Sequence, residues 1–261
     1  MKNIILFLFI LLLFNSCGKK KPRYENKGFS VQSTSETQYE YTDESEKEGL
    51  QSLEFKTRPT GVVLTNHPNY RLTTIYKVNY NKEYETISVG SNSYHRKYRD
   101  FSEGNEWNGH FMPGLEALYG YNFVNISHYD VQTKTQKNLF ETPVLIKTLY
   151  YPAFSTDTLN YKAIKRNYFM VSAYDEDTNG DSLISTQDLR RFYYFDIEGN
   201  NKNLLIPKNY SVLSSDYDPV NDFMYVFAQL DANSNGKKED NEEIHVFWID
   251  LNNPKNTGRQ Y

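Results

Sequence analysis

The chain has 261 residues, a formal net charge of −4 and a single cysteine. One cysteine excludes an intrachain disulfide framework and a multi-cysteine zinc site, and a mildly acidic balance argues against electrostatic binding of nucleic acid. With 23 Tyr, 16 Phe and 2 Trp in a sequence that is only 38% apolar, one aromatic-rich β domain is predicted rather than a polytopic membrane protein, a coiled coil or a disordered chain.

The N-terminus reads as an export signal. Lys2 precedes an unbroken apolar run from Ile4 to Phe14, 11 residues long. At about 1.5 Å per helical residue this is too short for a bilayer core of roughly 30 Å, so a signal-peptide apolar segment is expected. The run ends in Asn15-Ser16-Cys17-Gly18. This resembles a bacterial lipoprotein signal, with Ser16 as the small residue before the cysteine and Phe14 where Leu is usual. The resemblance implies cleavage after residue 16, acylation of Cys17 and attachment to a membrane through lipid. An ordinary secretory signal with an unused cysteine is the alternative. Gly18 is compatible with outer-membrane sorting, so an envelope lipoprotein facing the periplasm or the cell surface is expected. Residues 17–56 hold Lys19, Lys20, Lys21 and Pro22, then STSETQYEYTDESEKEG, with no apolar periodicity. A disordered spacer is expected there, its lysines able to touch anionic headgroups.

Residues 57–261 are built from repeats. Tyr168–Glu198 aligns without gaps on Asp222–Asn252, an offset of 54. Phe169-Met170 meets Phe223-Met224, Asp177 meets Asp231, Asn179 meets Asn233 and Asp188 meets Glu242. The run Phe192–Ile197 meets Val246–Leu251. Each unit reads strand, polar loop, strand, Asp-led turn. A looser third unit runs through His128–Val131, Lys137–Leu139 and Leu149–Pro152, and a faint fourth through Gly61–Leu64 and Thr74–Val78. The stretch Pro152-Ala153-Phe154-Ser155, Tyr168–Ser172, Phe192–Gly199 and Asn203-Leu204-Leu205 is similar to one blade of TolB-type β-propellers, although Thr156-Asp157-Thr158 replaces the usual Pro-Asp-Gly turn. The likeness is moderate over residues 113–261 and poor over 57–112. It implies an all-β, propeller-like domain of about four blades, either a small propeller or an open stack that closes by self-association. A β-sandwich suits the same strand spacing and remains the alternative.

Two acidic loops carry the best chemistry. Asp177–Asp188 resembles the twelve-residue calcium loop of EF-hands, and more closely that of dockerins. The resemblance puts oxygen ligands on Asp177, Asn179, Asp181, Ser185 and Asp188, with the main-chain carbonyl of Leu183 at position seven and Ile184 as the apolar position eight. Ser182 stands where Gly is usual at position six. Asp231–Glu242 gives Asp231, Asn233, Asn235, Glu239 and Glu242, with the carbonyl of Lys237. Here Gly236 fits position six, but Lys238 replaces the apolar residue. Weaker calcium binding is expected at this second loop. Turn-forming Asp, Asn and Gly between strands explain the same residues without a metal. Because strands flank both loops, calcium would staple a hairpin rather than open a groove.

No HExxH, Gly-x-Ser-x-Gly elbow or P-loop is present, and no catalytic residue stands out. Asp216, Asp218 and Asp222 read as turn chemistry, and Trp107–Phe111 as a loop packing its own aromatics. The expected protein is a calcium-stabilised, lipid-anchored binding or scaffolding module for a protein or glycan. An envelope hydrolase or lyase acting on polysaccharide or peptide, or a purely structural lipoprotein, are the alternatives.

Overall fold

The computed structural model describes residues 28–30, 56–81, 86–94 and 112–261. The signal segment, Cys17, Trp107–Phe111 and all of the expected spacer except Gly28–Ser30 and Lys56 lie outside these residues. Among the described residues every regular element is a β-strand. Strand β1 (Phe29–Ser30) falls inside the segment expected to be a disordered spacer. It is instead a strand, because the Phe29 ring is 3% exposed and has apolar neighbours to bury against.

The first sheet uses β2 (Thr57–Leu64) and β3 (Tyr70–Asn81), with β4 (Thr86–Val89) added beside the end of β3. Two strands, β5 (Ser93–Tyr94) and β6 (Leu115–Tyr119), then leave for the neighbouring sheet. The chain returns in β7 (Phe123–Asp130) and β8 (Thr135–Asn138), completing the order β2-β3-β7-β8. The middle sheet follows with β9 (Leu145–Pro152), a separate hairpin of β10 (Asp157–Leu159) and β11 (Lys162–Ile164), then β12 (Tyr168–Tyr174), β13 (Leu183–Ile184), β14 (Arg191–Asp196) and β15 (Asn203–Leu204). Its order is β15-β14-β12-β9-β6-β5, while β13 pairs only with β1. The last sheet is the simple meander β16 (Tyr210–Asp218), β17 (Phe223–Leu230), β18 (Ile244–Asp250) and β19 (Thr257–Arg259).

Three four-stranded antiparallel meanders therefore stand where about four repeat units were expected. The faint unit supplies the first two strands of the first sheet and the looser unit supplies its last two, so the two collapse into one. Each meander carries a one-residue bulge in its first strand, at Thr60, Lys147 and Leu213. An extra residue there sharpens the local twist. Each third strand ends in an Asp that caps the following turn. Asp130 accepts from the Gln132 and Thr133 amides, Asp196 from Asn200, and Asp250 from Asn252. The Asp-led turn read from the sequence is thus a physical device: a short carboxylate satisfies turn amides that no strand can pair.

The middle sheet is covered on both faces. Phe169, Val171, Ala173, Tyr193 and Phe195 pack against Leu72, Tyr76, Phe123 and Ile126 of the first sheet. Tyr168, Met170 and Phe192 pack against Val212, Met224, Val226, Phe247 and Ile249 of the last. Every residue of β12 is consequently buried, whereas β17 largely alternates buried and half-exposed positions. Side chains alternate faces along a strand, so face equivalence tests the repeat alignment. Third strands keep the offset of 54, Tyr193 and Phe195 matching Phe247 and Ile249. Second strands need 55, with Phe169, Val171 and Ala173 matching Met224, Val226 and Ala228. The ungapped match of Phe169-Met170 with Phe223-Met224 is therefore one residue out of step.

One buried ion pair ties the sheets together. Arg166, 2% exposed, donates to both carboxylate oxygens of Asp222, at 2.9 and 2.7 Å. It also donates to the carbonyls of Pro113 and Leu251. Burial, the largest single influence, lowers the guanidinium pKa, but the hydrogen bond to Asp222 together with the charges of Tyr168, Asp222 and Tyr217 outweighs it, and the net shift is upward. Asp222 is thus not merely turn chemistry. Arg166→Met should cost about 3–5 kcal/mol, because the carboxylate is left buried without its cation, and Arg166→Met with Asp222→Leu should recover much of that. Urea unfolding of the two variants checks this.

Candidate functional site

Both acidic loops fold to one local pattern. In loop one, the Asp177 carboxylate accepts the amides of Gly180, Asp181 and Ser182. Asn179 accepts from Asp181, and Asp181 from Leu183. The Asp188 carboxylate reaches back to the amides of Thr178, Asn179 and Ser185. In loop two, Asp231 accepts from Asn235 and Gly236, Asn233 from Asn235, and Asn235 from Lys237. Glu242 reaches back to the Ala232 amide. Positions one, three, five and twelve thus take equivalent roles 54 residues apart. Positions four and six are left-handed in both loops, filled by Gly180 and Ser182 in the first and by Ser234 and Gly236 in the second. The departure at Ser182 is accommodated at φ 66°, a conformation that costs a non-glycine residue roughly 1–2 kcal/mol.

The loops lie against each other. The Thr178 hydroxyl donates to the Gly236 carbonyl at 2.7 Å, and a Cβ on Gly236 would sit 1.7 Å from the Thr178 carbonyl oxygen. Gly236 is therefore required both for its φ of 70° and for this close approach. Residues just beyond loop one strap it to the last sheet. Arg190 donates to the carbonyls of Val212 and Leu213 at the β16 bulge, and Arg191 to that of Tyr210. These straps were not read from the sequence, because an arginine that bonds carbonyls has no spacing signature.

The two loops differ in how their oxygens are occupied. Asp188 is fully buried, and burial raises its pKa against the downward pull of the Ser185, Thr178 and Asn179 amides. Ser185 is also buried, and its hydroxyl accepts from the Gln187 amide. In loop two, Glu242 Oε2 is buried with no hydrogen-bond partner among the described residues. Asn233 donates to Glu239 at 2.8 Å, which joins positions three and nine. Lys238 is exposed rather than anchored in the core. Among the described residues, no three His, Cys, Asp or Glu side chains form a ready cage for a metal. Each expected set joins three carboxylates, Asp177, Asp181 and Asp188 or Asp231, Glu239 and Glu242, to Asn, Ser or main-chain oxygens, and the three carboxylates do not converge as a group among the described residues. The amide-bonded carboxylate oxygens retain further acceptor capacity, and the orphaned Glu242 oxygen suits a hard cation.

A second site was not legible in the sequence. A cavity of about 400 Å³ opens between the first and middle sheets, lined in part by Phe140, Thr142, Asp175, Asn201 and Lys202. Tyr193 donates to Asp175 Oδ2, while Asp175 Oδ1 is buried without a partner among the described residues. Burial raises the Asp175 pKa, with the Tyr193 hydrogen bond and Lys202 opposing it. The Lys202 ammonium lies over the Tyr193 and Phe140 rings, 4.6 and 5.1 Å from their centroids. No spacing in the sequence marks Asp175, since its partner Tyr193 lies 18 residues away.

The outer face of the last sheet is the third feature. Phe223, Tyr225, Phe227, Val246 and Trp248 are only half-buried, and Phe223 stacks on Trp248 at 5.5 Å. By face equivalence these positions correspond to Tyr168, Met170, Ser172, Phe192 and Tyr194, the face of the middle sheet that the last sheet covers.

No family model matches the chain, and no curated protein matches it in sequence.

Two outcomes test this geometry. Ser182→Gly should stabilise the fold by about 0.5–1 kcal/mol by relieving the left-handed strain, and Gly236→Ala should destabilise it, as read by thermal melting. Asp175 binds its proton more tightly folded than unfolded, so it lowers stability as pH rises from its unfolded value through its raised folded value. Asp175→Asn should flatten that decline in melts taken across acid to neutral pH.

Proposed function

We propose that this chain is a lipid-anchored binding or scaffolding module of the cell envelope, a propeller-like stack of TolB-type units stapled by calcium at its two acidic loops. The observation that carries the binding role is the open aromatic face of the last sheet. It repeats the chemistry of a face that is covered elsewhere in the same chain. A repeat that ended a stack would carry a polar outer face. Phe223, Tyr225 and Trp248 instead offer stacking surface to a protein or a glycan. Self-association through this face is one way for the stack to close. Cys17 would supply the anchor and hold the module at the outer membrane.

The calcium assignment is supported by the twin loops. Asp177, Asn179, Asp181, Ser185 and Asp188 with the Leu183 carbonyl would hold one ion. Asp231, Asn233, Asn235, Glu239 and Glu242 with the Lys237 carbonyl would hold the other. Calcium supplies a hard cation that tolerates irregular oxygen geometry. A ligand bound only by the folded state raises stability by mass action.

Calcium added to the chelated mature chain should raise its melting temperature, and Asp177→Ala should remove most of the gain. An identical melting curve with and without chelator would reject the calcium assignment. The binding role is tested by Trp248→Ser with Tyr225→Ser, which should lower the melting temperature modestly, because a cross-strand aromatic pair is lost, and leave the chain folded while abolishing capture of partners from envelope extracts.

Asp175 favours a second reading, an envelope hydrolase or lyase. A carboxyl held protonated to higher pH beside a cavity suits general acid catalysis. On that reading, Asp175→Asn would abolish turnover of a polysaccharide or peptide that the wild-type chain degrades.

A further inference from the structure

The pair formed by β1 and β13 joins the N-terminal segment to loop one. Phe29 lies opposite Ile184 and Ser30 opposite Leu183. Leu183 and Ile184 are positions seven and eight of loop one. One strand of this short ladder thus belongs to the loop that the proposed calcium would order. The Phe29 ring, 3% exposed, occupies a socket made by Val124 of β7, Leu145 of β9, Tyr174 of β12 and Ile184. Gly28 completes the fit. Its φ is 74°, and a Cβ there would stand 1.9 Å from the Ile184 carbonyl oxygen. Glycine, then a large aromatic, is the pattern this groove accepts.

We infer that the groove is a strand-addition site for the chain's own Gly28-Phe29-Ser30, and that loop one controls it. This rests on the calcium and anchor assignments above. The consequence is a change of reach. From Cys17 to Gly28 the chain advances 11 residues, and from Cys17 to the start of β2 it advances 40. At full extension those spans are at most about 40 Å and about 140 Å. A docked segment therefore holds the domain close to the membrane, and a released one lets it reach several times further. Ordering loop one with calcium fixes the backbone of Leu183 and Ile184 in the conformation that pairs with β1, so calcium tightens the latch. Coupling is reciprocal, so the docked segment strengthens calcium binding by the same factor.

Hydrogen exchange on the mature full-length chain carrying Cys17→Ser tests this, with calcium or with excess chelator. Amides in 28–30 and 183–184 should exchange at least about fivefold more slowly with calcium. Phe29→Ala and, separately, Gly28→Ala should remove that protection and weaken calcium affinity by a matching factor, measured by calorimetry. Neither residue belongs to the sheets that begin at residue 57, and because Phe29 packs on them a thermal melt of each variant checks that those sheets stay folded. Calcium protection of 177–188 with unchanged exchange at 28–30 would overturn the latch while leaving the calcium site standing. No calcium response in either segment would overturn the calcium assignment, and the latch with it.

Discussion

The Arg166–Asp222 pair is the constraint on which the arrangement of sheets depends. The guanidinium comes from the approach to β12 in the middle sheet, and its carboxylate from the turn between β16 and β17 in the last. Its remaining donors close on Pro113, just before β6, and on Leu251, just after β18. Tyr168 and Tyr217 add hydroxyl donors to Leu251 and Asp222, and His67 of the β2–β3 loop bonds the Arg166 carbonyl. A charge this buried persists only where every donor finds an acceptor. Those acceptors exist only when the middle and last sheets and the chain leading into β6 occupy these positions, so the pair selects this arrangement over looser ones.

Around that pair the sheets pack by side-chain alternation. The middle sheet has no solvent face, which is why β12 reads as the unbroken apolar run YFMVSAY, while β17 and β18 alternate. The link between the first and middle sheets is also topological. Strands β5 and β6 belong by sequence to the first meander, yet pair beside β9. A chain that lends strands to its neighbour couples the two sheets more strongly than packing alone would.

The twin loops sit where the middle and last sheets meet, and they touch through Thr178 and Gly236. Their shared hydrogen-bond pattern makes them rigid at the cost of one strained serine each, Ser182 and Ser234. Loop one is the more embedded of the two, bound to the last sheet by Arg190 and Arg191 and to the N-terminal segment by β13. An ion placed in it would act on elements well beyond the loop.

The sequence by itself determined the all-β class, the repeat with its Asp-capped turns, and the position of both acidic loops, because those features depend on neighbours close in the chain. Strand alternation, short polar side chains at turns and a twelve-residue spacing are local physics. The tertiary structure decided what depends on residues far apart. Two sequence units became one sheet because β7 returned to pair with β3 across a long insertion. The offset of 54 needed a one-residue correction in the second strands, since only burial reveals which face a residue occupies. Asp222 found its cation 56 residues away, Asp175 its cavity, and Phe29 its socket. None of these carries a local signature. Burial and charge compensation are properties of the assembled sheets and not of any stretch of sequence.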